Sequence, residues 1–211
     1  MAHIIRTVRR DHAPQAQRLK ADVCIAGAGI SGVSAALEAA RLGKRVVLFD
    51  ALPMLGGQAV GSIIGPFCGL FSNGPNRRQL THGIADGILR DLGASGDLHH
   101  KVGPLTTVVY YDEVALGRWI GQQILDAGIT VVLGAVLREV VREGNRVAQV
   151  QLATRYGDVH VDADGFVDAS GDAALTWNAG FACREPDTPI YGTQMFVMEH
   201  IDETHLPSRE A

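Results

Sequence analysis

The sequence predicts an α/β fold, a parallel sheet with covering helices joined to a three-stranded antiparallel meander. Three observations carry this prediction. The apolar run VCIAGA (23–28) leads through a glycine turn and a helical stretch to a second apolar run, RVVLF (45–49). Together they make a unit of about 30 residues, the length of a βαβ crossover. A third apolar run, ITVVLGAV (129–136), follows two further helical stretches. Beyond it come short β runs broken at Gly144-Asn145 and Gly157-Asp158, which read as the two hairpin turns of a meander.

Each element follows from local pattern. Residues 23–28 do not alternate, as expected of a parallel strand covered on both faces. Val33 to Leu42 is rich in Ala and Leu, and Gly43 stops the helix as a C-terminal glycine does. The glycine-rich segment from Gly56 to Gly74 is too apolar for a solvated linker and reads as a buried irregular loop lying against a ligand. Leu80, Ile84, Ile88 and Leu92 recur every four residues, predicting an amphipathic helix over 78–92. Residues 93–104 read as loop. Asp112 is an N-cap for a helix over 113–126 that Gly128 closes. FVDA (166–169) is a last strand of this body, and a further strand is expected from Thr188 onward.

Composition narrows the function. The chain has 211 residues, 46% apolar and 20% charged, enough apolar content for a core and against disorder. Nineteen Lys and Arg face 23 Asp and Glu, a formal charge of -4 without a basic block, so nucleic acid is not an expected partner. Cys24, Cys68 and Cys183 are odd in number and widely spaced, which disfavours a disulfide framework, and no metal site is expected. No apolar run is long enough for a membrane span, and residues 1–20 lack the apolar core of a secretory signal. A cytoplasmic location is the expectation. Glycine is the outlier, 25 of 211 residues, and many glycines in an ordered chain mark close backbone approaches.

Gly27, Gly29 and Gly32 form GxGxxG between a predicted strand and a predicted helix. Gly27 permits the tight turn, Gly29 lets backbone approach a pyrophosphate, and Gly32 allows close helix–strand packing. The helix N-terminus presents free N–H groups and a positive dipole end to phosphates. Asp50 ends the second strand, where a carboxylate can accept ribose hydroxyls. This constellation reads as a Rossmann-like site for an adenine dinucleotide, set against a glycine turn with no ligand.

With the D-x5-GG spacing from Asp50 to Gly57, the segment GPFCGLFSNG and the meander running into FVDASGDAALTWNAG, the chain resembles the FAD-dependent oxidoreductases of the glutathione-reductase structural class. The likeness covers roughly residues 20–203, and Ser170 stands where the family pattern has Thr. It implies an FAD-binding domain over 21–187, with a glycine-rich and helical insertion at 56–127 and residues 1–20 as an N-terminal extension. Residues 188–211 would begin a substrate or cap domain or form a partner-contacting tail.

It further implies that Gly27, Gly29, Ile30, Ser31 and Gly32 cradle the FAD pyrophosphate. Asp50 and the adjoining Ala51 would hold the adenosine ribose, and Gly57, Gln58 and Ala59 would line the path to the ribityl chain. Val136 would offer backbone to the adenine, and Ala169, Ser170 and Gly171 would close over the nucleotide. Asp172 is either a cofactor contact or the N-cap of the following helix.

The implied chemistry is hydride transfer from a small organic substrate to flavin N5, a dehydrogenase reaction. No catalytic base stands out. Cys68, beside the expected flavin path, is a weak candidate for a covalent or redox role, since buried free cysteines are commonly inert. His82 reads as a surface group on a helix, His99 and His100 as a polar loop, and Arg77-Arg78 as a solvated turn. Family members carry a substrate domain that this chain only begins. The chain is therefore one subunit of a split enzyme, a fragment of a longer polypeptide or a stand-alone variant, and a second polypeptide or further fragment is expected to complete the flavin and substrate site. Two alternatives stand beside this: a non-catalytic dinucleotide-binding subunit of a complex, and a single-domain enzyme of the thiazole-synthase kind. For the last, only the shared nucleotide fold is seen to match.

Overall fold

A computed structural model describes residues 15–74, 76–103, 106–185, 187–188 and 192–195. Its main sheet has six strands: β1 (Gln17–Ala26), β2 (Val46–Asp50), β6 (Thr130–Leu133), β7 (Val136–Glu143), β8 (Arg146–Thr154) and β9 (Gly157–Asp168). Their order is β6-β2-β1-β9-β8-β7, with β6, β2, β1 and β9 parallel and β8 and β7 antiparallel. The helices are α1 (Ile30–Arg41), α2 (Gln58–Gly61), α3 (Ile84–Ser95), α4 (Glu113–Asp126) and α5 (Ala174–Asn178). A second sheet, antiparallel, has the order β3-β5-β4, from β3 (Pro66–Phe67), β4 (Leu98–Val102) and β5 (Thr107–Tyr111).

The meander is not a separate layer. β9 pairs with β8 along its first half and with β1 along nearly its whole length, from Gln17 opposite Val159 to Ala26 opposite Asp168. One strand therefore carries the chain from the hairpins into the parallel sheet. Strand alternation then divides the core. Ile25, Val46 and Leu48 face α1, α3 and α4 and pack with Val33, Ile88, Leu116 and Ile120. Cys24, Ala26, Val47 and Phe49 lie in the other cluster, with Val150, Leu152, Val161 and Leu175.

Several elements differ from the sequence expectation, each for a physical reason. β1 starts at Gln17, because polar residues at its start find partners on β9. α1 begins at Ile30, directly after the glycine turn. α3 begins at Ile84 rather than at residue 78, since Gly83 has φ +78 and cannot be helical. Leu80 is consequently exposed. Residues 98–102 are strand β4, where His99 stacks on Tyr110 of β5 with ring centroids 5.2 Å apart. The second hairpin turns at Arg155-Tyr156, two residues before the glycine, because the Thr154 hydroxyl accepts from Tyr156 N–H at 3.1 Å and donates to the Gly157 carbonyl at 2.7 Å.

The segment Gly56–Gly74 is not a buried loop. It contains α2 and β3, Gly56 alone is buried among its described residues, and the rest is half-buried or exposed. The strand expected from Thr188 falls mostly outside the described residues, and Thr188 and residues 192–195 form no strand. α4 matches its expectation to the residue, with the Asp112 carboxylate accepting from Ala115 N–H at 2.8 Å. Among the described residues, no helix is long and apolar enough to cross a membrane.

Candidate functional site

The sequence-predicted residues meet at the C-terminal edge of β2, β1 and β9, where open α/β sheets bind their ligands. The turn 27–29 leaves β1 with Gly27 at φ +98, and Gly27 N–H donates to the Phe49 carbonyl at 2.8 Å. α1 starts at once, with no acidic residue in its first turn to offset the positive end of its dipole.

The three glycines are required for different reasons. A Cβ on Gly27 would lie 2.3 Å from the Ala169 carbonyl oxygen, and one on Gly32 would lie 1.8 Å from that of Gly27. Both must be glycine for the chain to fold this way. Gly29 has φ -67, and a Cβ there would meet nothing nearer than Gly57 Cα at 4.0 Å. No backbone conformation or neighbouring atom demands glycine at 29, which leaves close approach by a ligand as its physical reason. Gly171 faces open space, but its φ of +87 by itself favours glycine, and it borders the same cleft as Ser31. The residues present thus fit a dinucleotide pyrophosphate passing close to the backbone at Gly29.

The Gly56-Gly57 pair is tied to this turn. Gly56 N–H donates to the Ala28 carbonyl at 2.7 Å, and Gly29 and Gly56 form an isolated parallel bridge. A Cβ on Gly57 would stand 2.8 Å from Gly29 Cα. Gln58 and Ala59 follow in α2, Gln58 exposed and Ala59 half-buried. The Ala59 carbonyl accepts from the Tyr111 hydroxyl at 2.9 Å, which fixes α2 from β5. Tyr111 was not singled out from sequence. Its burial pushes the phenol up to about 12.

Asp50 holds the backbone around it. Its Oδ2 accepts from Ala28 N–H at 2.6 Å and its Oδ1 from Leu52 N–H at 2.8 Å, so it shapes the phosphate turn and its own loop. An ionised carboxylate has about four acceptor positions, and two remain for ribose hydroxyls. Ala51 and Leu52 are exposed beside it. Ala135 N–H donates to the Asp50 carbonyl at 2.9 Å, and Gly134 N–H to that of Leu52 at 3.1 Å. These bonds bring Val136, 56% exposed, to the same edge as Asp50. Leu52 is a residue missed in the sequence, and its only signal was adjacency to the acid.

The closing loop is organised by Asp168, also missed. Its Oδ1 accepts from the Ser170 hydroxyl at 2.6 Å and from Ser170 N–H at 3.2 Å. Its Oδ2 accepts from the Thr176 N–H and hydroxyl, each at 2.7 Å. Burial raises the carboxyl, but these bonds outweigh it and hold Asp168 below its ordinary value. The Ser170 hydroxyl in turn accepts from Ala174 N–H at 2.8 Å. Asp172 is not the N-cap: it is exposed, Ala173 occupies that position, and Asp168 and Ser170 do the capping. Ser31, Asp168, Ala169, Gly171 and Thr176 border one cleft of about 470 Å3.

The other candidates lie elsewhere. Cys68 is exposed after β3, and Cys24 is buried, its thiol pushed up to about 12 by desolvation. His82 is exposed ahead of α3 rather than on a helix. His99 and His100 are on β4 rather than in a loop, and His100 meets Phe71 edge-on at 5.6 Å. Arg77 donates to the Gly103 carbonyl, pinning its turn to the β4–β5 hairpin, and Arg78 is exposed.

Comparison with known proteins agrees with this geometry. The chain is 30% identical over 199 residues to a thiamine thiazole synthase of Saccharolobus islandicus, covering 89% of this chain and 68% of that one. The similarity to thiazole synthases therefore runs through most of the chain at the level of sequence, where only the shared nucleotide fold is expected from the sequence alone. Among solved structures, a geranylgeranyl bacteriochlorophyll reductase-like protein of Thermoplasma acidophilum superposes with TM-score 0.54 at 19% identity, over 78% of this chain and 43% of that chain. The THI4 protein of Thermovibrio ammonificans gives 0.53 at 22%, over 77% of this chain and 64% of its own. The chain thus spans less than two thirds of the length of either structure. A family model described as FAD dependent oxidoreductase matches residues 22–210, from the start of the buried part of β1 through every site element above. With that match over most of its length, the chain belongs to the FAD dependent oxidoreductase family, and FAD is its cofactor.

Proposed function

We propose that this chain is the FAD-bearing part of an oxidoreductase that oxidises a small organic substrate by hydride transfer to flavin N5, with another polypeptide completing the substrate site. The observation that supports the cofactor part is the bare backbone at Gly29, which neither its backbone angle nor a clash within the protein requires. FAD supplies the redox chemistry when bound, and the protein supplies binding, orientation and exclusion of side reactions. In this reading Gly27, Gly29, Ile30, Ser31 and Gly32 hold the pyrophosphate at the N-terminus of α1. Asp50 orients the ribose through its two remaining acceptor positions, with Ala51 beside it. Val136 borders the adenine, Gly57, Gln58 and Ala59 border the ribityl path, and Ala169, Ser170, Gly171 and Asp172 form the closing side.

The test is to purify the protein with its natural partners, record the visible flavin absorbance and the subunit masses, and add small organic donors without oxygen. Bleaching of the flavin band by a donor, with a second polypeptide in the particle, is the expected result. A colourless monomer that takes up no FAD would overturn the proposal. A flavin that no donor reduces would point to a non-catalytic subunit.

A second reading, an enzyme of the thiazole-synthase kind, is favoured by the 30% identity over 199 residues. Mass spectrometry of small molecules that co-purify with the chain separates the two, because a bound thiazole compound belongs only to the second.

A further inference from the structure

A separate cleft of about 630 Å3 opens beside the same helix, within the size range of small-molecule sites. It runs along one face of α1, past Ile30, the half-buried Ser34, Glu38 and Arg41, and Ile30 directly follows Gly29. Its lining is divided by polarity. Ile30, Phe67, Leu70 and Ile84 are half-buried and Ile88 is buried, which makes an apolar floor. Thr81, His82, Glu38 and Arg41 also line it and are exposed, so they form the rim. Glu38 and Arg41 pair with each other at 2.5 Å, which leaves no lone cation in the lining for a charged carboxylate to meet.

His82 is the polar group set up to act on an occupant. Its Nδ1 lies 3.3 Å from Asp86 Oδ1. Asp86 also accepts from Gly83 N–H at 2.8 Å and from Gln79 Nε2 at 2.6 Å. The Gly83 bond above all holds this carboxyl below its ordinary range. An ionised carboxylate only accepts, so it selects the tautomer with the proton on Nδ1 and leaves the lone pair on Nε2.

We infer that this cleft binds the apolar body of a neutral small organic molecule bearing a hydroxyl, whose O–H donates to His82 Nε2. Because the cleft adjoins the glycine turn, the molecule is the substrate if the FAD reading above holds, and the inference rests on that reading for this role. It deepens the proposal by naming the substrate class as neutral and apolar with one hydroxyl, in place of an anionic acid.

The test uses the full chain saturated with FAD, with 2-naphthol and the near-isosteric 2-methylnaphthalene as fluorescent probes. Wild type should bind 2-naphthol about fivefold more tightly, the value of one hydrogen bond. His82→Phe should remove that preference and keep the affinity for 2-methylnaphthalene. Ile84→Glu should weaken both probes about tenfold or more, a carboxylate on the apolar floor being costly to desolvate. FAD binding, followed separately by flavin fluorescence, should be unchanged in both variants. The inference is overturned if neither probe binds, as when a protein segment or a second copy fills the cleft. It is equally overturned if Ile84→Glu has no effect or if His82→Phe keeps the preference. Probe binding with this pattern in a protein that takes up no FAD would uphold the cleft and overturn the cofactor reading.

Discussion

Asp168 receives two hydrogen bonds from Thr176, from its N–H and from its hydroxyl, each at 2.7 Å. The carboxylate thereby ties the end of β9 to the first turn of α5 and sets the path of Ala169-Ser170-Gly171 between them. Asp168→Ala should destabilise the protein by about 2–3 kcal/mol, from lost capping and charged hydrogen bonds. Asp168→Asn should lose about half as much, since an amide oxygen can still accept. The pH dependence has a definite sign. Because the folded carboxyl titrates below its ordinary 3.8, the stabilisation is full above that value and is lost as pH falls through the lower folded value. Urea denaturation across the acid range should show a shallower loss below 3.8 in Asp168→Asn than in wild type.

Gly32 packs helix against strand with no room for a methyl. Gly32→Ala should cost about 1–3 kcal/mol by overpacking, because its Cβ would collide with backbone at 1.8 Å rather than with a movable side chain. Thermal unfolding of the FAD-free chain reads this directly, and an unchanged midpoint would contradict the packing described.

The Tyr111 hydroxyl bonded to the Ala59 carbonyl makes a second measurable contribution. Tyr111→Phe leaves that carbonyl without its partner and should cost about 1–2 kcal/mol. Its raised phenol, about 12 against an ordinary 10.0, means stability is full below 10.0 and falls as pH rises toward 12. Alkaline unfolding should be blunted in Tyr111→Phe relative to wild type.

The thiols should divide by burial. Cys68 and Cys183 are exposed, while Cys24 is buried with a thiol pushed up to about 12. Titration with a chromogenic disulfide reagent should find two fast thiols in the native chain and a third only on denaturation. Fast reaction at Cys24 would show that β1 is not buried as described.

What could be read in the sequence was what depends on near neighbours. α4 could be placed to the residue, because Asp112, the apolar face and Gly128 all lie within one short window. The β1–turn–α1–β2 unit was equally legible. β4 was not, since LHHKV carries no apolar pattern and is held by pairing with β5 and by the His99–Tyr110 stack. The pairing of β9 with β1 could not be read either, as pairing across more than a hundred residues leaves no local trace.

The candidate site divides the same way. The glycines and Asp50 are visible as a motif, but the bond from Gly56 to Ala28 and the hold of Asp50 on Ala28 N–H appear only in the fold. Asp168 was passed over in favour of Asp172 because both are aspartates next to the same loop. Only the bonds to Ser170 and Thr176 distinguish them.

In the proposed function the bare backbone at Gly29 admits FAD, and FAD titration by flavin fluorescence of wild type and of Gly29→Val tests this most directly. At φ -67 and with Gly57 Cα 4.0 Å from where its Cβ would stand, valine should cost the fold about 1–2 kcal/mol, as a poorer N-cap beside a close neighbour. Wild type should bind FAD, and Gly29→Val should fold to a similar midpoint yet bind at least tenfold more weakly. Equal FAD affinity in the two proteins, or no binding by wild type, would contradict the claim.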